Sequence, residues 1–265
     1  MIERIAHPTD FSPKGDAAFS HALRLAVEFR CRLDLLHVRY ADDPDNWDWF
    51  PHVRETLSRW NLLADGASVG DVFVRLGVII RKIMIVHFDP VVGISNYLST
   101  QRPDLIVLAT NGETGLTRLL SGSTSEDIAQ QNRIPTLFLG PDARPFVDLQ
   151  SGVLKLDNLV VPLARHPSPR RALHTLNALL EPLAPQIHAI HIGDIAPWVL
   201  DEAGEPLNVK IMQSAVVETI LEASQTTDLI AIPTDGRHGF LDALRGRCQQ
   251  QRGSGCLAFA ALRPE

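Results

Sequence analysis

Ala109-x2-Gly112-x9-Gly122-Ser123 follows directly on the apolar run DLIVLA (104–109), and the interval holds a further glycine, Gly115, among several hydroxyl residues. Glycine lets a backbone N–H come closer to a ligand than a residue with a Cβ allows. Ser123 and Thr124 then open a helical stretch (STSEDIAQQ), whose first N–H groups have no partner within the helix and whose dipole favours negative charge. These features together make a seat for an anion. Asp10 ends the first strand-like segment and would stand beside that seat. Two features pull the other way. Ala109 brings a methyl group to the edge of the loop, and Ser123-x-x-Glu126 is a capping-box spacing that would bring a carboxylate near the anion.

Other chemistry is harder to assemble. There is no G-x-S-x-G elbow, and no lysine occurs from position 83 to 154, so no Walker lysine follows the glycines; Arg118 is the one cation in the loop. His188 and His191 are three apart on a strand-like segment and would point to opposite faces, so no metal site is expected from them. Cys31, Cys248 and Cys256 show neither C-x-x-C spacing nor a disulfide framework.

The elements that position the loop alternate strand and helix. Strand patterns run over 4–8, 32–38, 81–88, 104–109 and 135–140. Between them, Ser12-Pro13 and Asp89-Pro90 open helices, a helical pattern covers 51–65, and Ser68 and Gly77 bracket a short helix. Such alternation predicts a mainly parallel sheet flanked by helices. The plan then repeats. NLVVPL (158–163) matches RIAHPT and IHAIHIG (187–193) matches LDLLHVR, both at an offset of 154, whereas DLIAIPTDG (228–236) matches DLIVLATNG at an offset of 124. The second copy thus lacks 30 residues between its second and fourth strands, in the region of the first copy that carries Trp47, Trp49 and two helical patterns. The two tryptophans, two apart, would share one side of an extended loop, packed on the sheet edge or serving as a lid. In the second copy Ala164 replaces Asp10, Pro233 replaces Ala109 and Arg247 replaces Ser123. Its arginines Arg237, Arg245, Arg247 and Arg252 are either solvated surface or a different anion site.

At 265 residues the chain accommodates two units: 1–140, a connecting hairpin at 141–156, and 157–265. A net charge of −6 gives no general attraction for nucleic acid or anionic membrane, and no apolar run reaches the roughly 20 residues that span a bilayer. Charges within residues 1–10, where a secretory leader would be apolar, add to the expectation of a cytoplasmic protein.

The glycine pattern, HPTDFS at 7–12 and LHV at 36–38 resemble the universal stress protein family over nearly the whole chain, as two tandem copies. The resemblance implies an α/β fold of two open, mainly parallel five-stranded sheets with flanking helices, arranged as an internal pseudo-dimer through the fifth strands, with a further homodimer open. It also implies ATP, with Mg2+ on its phosphates, bound at Pro8, Thr9, Asp10, Val38, Ala109, Gly112, Gly122, Ser123 and Thr124. On this reading the protein is a stress-response regulator with a protein partner, the second copy being a degenerate, structural twin. Two alternatives stay open: a scaffold or small-ligand sensor without nucleotide, and an enzyme that hydrolyses ATP slowly.

Overall fold

The computed structural model describes residues 2–45, 47–110, 124–140, 143–165, 168–201, 204–213, 219–220, 222–223, 225–234 and 256–261. The first half runs β1 (Arg4–Pro8), α1 (Asp16–Phe29), β2 (Arg32–Arg39), α2 (Val53–Arg59), α3 (Val69–Leu76), β3 (Ile79–Val86), α4 (Pro90–Gln101), β4 (Leu105–Ala109), α5 (Thr124–Asn132) and β5 (Thr136–Leu139). Its strands lie in the order β3-β2-β1-β4-β5 and are all parallel. The second half runs β6 (Asn158–Pro162), α6 (Pro169–Leu180), β7 (Gln186–Ile192), β8 (Val209–Met212), β9 (Leu229–Thr234) and β10 (Cys256–Ala261). It repeats the order as β8-β7-β6-β9-β10.

The two halves are joined edge to edge by β5 and β10, so the expected pair of sheets is one continuous sheet of ten strands. The seam departs from a two-fold. β10 runs parallel to β5 and antiparallel to β9, reversed relative to the four parallel strands of its own half. A true pseudo-dimer would set the two fifth strands antiparallel to each other.

Local chemistry explains three of the helix ends. The Asp89 carboxylate accepts from the N–H groups of Val91 and Val92, with Pro90 at the first helical position of α4. Ser68 and Asp71 form a capping box on α3, and Gly77 closes that helix at φ +70°. Successive strand residues point to opposite faces, and the core divides accordingly. Ile5, Leu33, Leu35, Val107, Leu137 and Leu139 pack with α1 and α2, while Ala6, Leu36, Ile106, Leu108 and Phe138 pack with α4 and α5. The first of these clusters continues through Leu159, Val161, Leu229 and Phe259, so the two halves share one core.

Residues 143–156 carry an antiparallel bridge between Val147 and Leu154 and lie against the first half. Phe146 and Val147 are buried; the Phe146 ring meets His21 edge-on at 4.4 Å, and Val147 N–H donates to His21 Nε2 at 3.3 Å. Trp60 Nε1 donates to the Leu149 carbonyl and Arg24 Nε to the Gly152 carbonyl. Gly152, at φ +69°, sits so close to Trp60 that a Cβ would fall 2.4 Å from its ring. The difference between the halves lies where the offsets place it: α2 and α3 occupy the span from β2 to β3, and among the described residues no helix lies between β7 and β8.

Candidate functional site

The order β3-β2-β1-β4-β5 places the topological switch point between β1 and β4, where the chain has finished building outward on one side and begins on the other. The crevice at the carboxyl ends of those strands is where open α/β sheets take ligands. Pro8 is buried at the end of β1 in register with Leu36. Thr9 follows: its N–H donates to the Leu36 carbonyl at 2.8 Å, its carbonyl accepts from His37 Nδ1 at 2.8 Å, and its hydroxyl accepts from Phe11 N–H at 3.1 Å. Asp10 is exposed at the crevice mouth, one carboxylate oxygen accepting from Ser12 N–H at 2.9 Å. Partial burial works against its ionised form but is outweighed by hydrogen bonds from Ser12 and by the nearby His37, and the carboxyl is held below its ordinary value.

Val38 is half-buried near the end of β2, on the same face as Leu36. Ala109 ends β4, and its carbonyl accepts from Ser125 Oγ at 2.8 Å, which ties the first turn of α5 to the strand end. Thr124 is the exposed first residue of α5. Asp10, Val38, Ala109 and the α5 N-terminus are therefore brought to one end of three adjacent strands. Gly112, Gly122 and Ser123 lie outside the described residues, as do Arg118 and the arginines Arg237, Arg245, Arg247 and Arg252. Glu126, three residues into the capping-box spacing, is buried and accepts from Gln130 Nε2 at 2.9 Å.

Beside the two tryptophans read as an edge contact or a lid, residues at this end that carried no functional signal in the sequence join them. Phe11 adopts φ +62°, uncommon for a residue with a Cβ, and its ring stacks on His37 at 3.8 Å. Phe50 and Trp49 meet Phe11 edge-on at 5.0 and 6.1 Å, and Trp47 stacks on Phe50 at 5.8 Å. The tryptophans occupy a short 3-10 turn, Trp47–Trp49, rather than an extended loop, and both are exposed. Converging on Phe11 and Phe50, they form an aromatic flap above the β1 and β2 ends, and Arg39 fastens the preceding loop through the carbonyls of Tyr40, Ala41 and Asp43. Thr110, one residue past β4, is buried with a hydroxyl that has no hydrogen-bond partner among the described residues.

His7 lies deeper, its Nδ1 donating to the Val107 carbonyl at 2.9 Å across the switch point. Burial lowers its pKa to about 4, so the ring is neutral near pH 7. His188 and His191 go to separate partners, Asn158 Oδ1 and the Leu163 carbonyl. Among the described residues no group of three or more His, Cys, Asp or Glu could hold a metal ion, and no helix is long and apolar enough to cross a membrane.

The second half repeats the frame of the site without its contents. Leu163 N–H donates to the Ile190 carbonyl and His191 Nδ1 to the Leu163 carbonyl, as Thr9 and His37 do in the first half. The position of Asp10 is Ala164, and the position of Ala109 is Pro233, which has no N–H to offer.

Comparison with known proteins agrees with this architecture. The profile of the universal stress protein family matches residues 1–139. Universal stress protein MJ0531 of Methanocaldococcus jannaschii is 28% identical over 148 residues, 52% of this chain and 81% of that protein. Among solved structures, a universal stress protein from Archaeoglobus fulgidus is 16% identical and superposes with a TM-score of 0.58 over 98% of this chain and 96% of its own. A universal stress protein in complex with cAMP covers 52% of this chain and 96% of its own at 16% identity, with a TM-score of 0.35. With just over half of its length matched by the family profile and its fold shared along nearly the whole chain, the chain belongs to the universal stress protein family.

Proposed function

We propose that the first half binds ATP, with Mg2+ on the phosphates, and that the protein works as a stress-response regulator whose second half is structural. The observation that carries this reading is the convergence of Asp10 with the N-terminus of α5 at the switch point. A carboxylate suits the hydroxyls of a ribose, since an ionised oxygen accepts strong hydrogen bonds. A helix start suits a phosphate. The backbone at Val38 would meet the base, and Gly112, Gly122, Ser123 and Thr124 would meet the phosphates. Pro8, Thr9 and Ala109 set the ends of β1 and β4 around them.

The reading is of a binding protein whose surface changes with its ligand and is read by a protein partner in the cytoplasm. Units 1–140 and 157–265, joined by 141–156, would be the binding and structural modules.

Titration of the intact protein with ATP and Mg2+ tests this, followed by calorimetry and by the emission of the flap tryptophans. Saturable binding is expected, weakened at least tenfold in Asp10→Ala, or about 1.4 kcal/mol. No binding at millimolar ATP, or equal affinity in the variant, would overturn it.

A further inference from the structure

The segment that only the first half possesses encloses a second concavity, away from the switch point. α2, α3 and the edge strand β3 surround a cleft of about 750 Å3, within the range of small-molecule sites. Val53, Val72 and Val78 form its buried apolar floor, and Phe73 stands at its side, 56% exposed. A large aromatic left in water beside an apolar cavity is surface that a ligand would cover.

The charged groups of the cleft are unevenly paired. Its two carboxylates have partners, Glu55 with His52 at 3.5 Å and Asp65 with the Ser58 hydroxyl. Its two cations, Arg54 and Lys82, have no carboxylate within 4.0 Å among the described residues, although Arg54 donates to the Ala67 carbonyl at 3.0 Å. The Lys82 ammonium lies 5.7 Å from the centre of the Phe50 ring. Although the Lys82 side chain is exposed, partial desolvation draws it below its ordinary pKa; Asp48 opposes this, and the charge of Arg54 adds to it. Two cations thus line one largely apolar cavity, and neither is in a salt bridge among the described residues.

We infer that this cleft binds a small amphipathic carboxylate, its anionic head between Lys82 and Arg54 and its apolar body on Val53, Val72 and Phe73. The head supplies the salt-bridge partner that neither cation has among the described residues, and the body covers the exposed ring. Among the described residues the second half has no helix between β7 and β8, so the α2 and α3 walls are not repeated there. The site is independent of the nucleotide reading, because Asp10 takes no part in it.

Calorimetry of the full chain with decanoate and with decanol, whose tails are alike and whose heads differ in charge, tests the assignment. Decanoate is expected to bind at least tenfold tighter than decanol. The double variant Arg54→Gln, Lys82→Gln, at two exposed positions, removes that preference while leaving decanol affinity unchanged. Phe73→Ser weakens both ligands, and Asp10→Ala weakens neither. Amide chemical shifts on adding decanoate are expected to move at Val53, Gly70 and Ile80. Equal affinity for the two probes, no binding at millimolar decanoate, or shifts confined to another region would overturn the inference. So would a concentration-dependent dimer that blocks these amides from the probe, since the cleft would then be a surface between copies of this chain.

Discussion

The two halves grip their sheets at the amino end in the same way and differ at the carboxyl end. Asp104 accepts from the N–H groups of Glu3 and Arg4, and Asp228 from those of Asp157 and Asn158, all at 2.8 to 3.0 Å. The return bonds repeat as well: Asp104 N–H donates to the Arg4 carbonyl and Asp228 N–H to the Asn158 carbonyl, each at 2.9 Å. At the other end Asp10 faces Ala164 and Ala109 faces Pro233 across the repeat, and among the described residues α2, α3 and the flap occur in the first half only. Contacts that order a strand pair are needed in both copies for the shared core to form. The carboxyl end carries no such shared requirement, and there the two copies differ in residue type and in length.

The largest expected break in the symmetry is its response to acid. His7 and His21 are buried in the first half with pKa values lowered to about 4, in each case by burial foremost. The positions 154 residues on are Val161 and Thr175, which do not titrate in this range. Because the folded values lie below the ordinary 6.5, the unfolded chain binds more protons between the two. Stability is fully present above pH 6.5 and is lost as pH falls toward 4, by about 3 kcal/mol for each histidine. Denaturant midpoints followed by circular dichroism from pH 7 to 4 should fall steeply, and His7→Val, which copies the second half, should remove about half of the slope. A flat profile would mean that neither ring is buried in the neutral form.

Next comes the segment that links the halves. Gly152→Ala forces a Cβ against Trp60 and a side chain into φ +69°, at a cost of about 2 to 4 kcal/mol. Gly66→Ala, at φ +73° with nothing within 4 Å, should cost about 1 kcal/mol. Thermal unfolding of the two variants separates contact from backbone strain, and equal costs would show that the 143–156 segment is not held on Trp60. The smallest effect sharpens the likeness: Asp104→Ala and Asp228→Ala each leave two strand N–H groups without their acceptor, at about 1 to 2 kcal/mol. The two losses should agree within about 0.5 kcal/mol in matched denaturation curves; a wide gap would mean that the frames are alike in geometry alone.

Much of this was legible in the residues. The offsets of 154 and 124 located the segment missing from the second half, and the Ser68, Gly77 and Asp89-Pro90 signals placed three helix ends, because capping depends on a few neighbouring residues. Asp10 and Ala109 stood out as strand-end positions for the same local reason. The flap was read less well. Trp47 and Trp49 have the spacing of a shared strand face, yet they sit in a 3-10 turn and pack on Phe50, next along the chain, and on Phe11, from the far-off end of β1, a contact that the linear pattern does not show.

By itself, then, the sequence determined the elements, their repetition and the loss of an acidic group from the second crevice, since these rest on periodicity, capping and residue type. Tertiary structure alone decided that β10 reverses against β9, that two histidines are buried neutral, and that Lys82 and Arg54 share the wall of one cleft. Strand direction at an edge, desolvation and the pairing of charges each depend on what the rest of the chain brings alongside, and no local pattern encodes it.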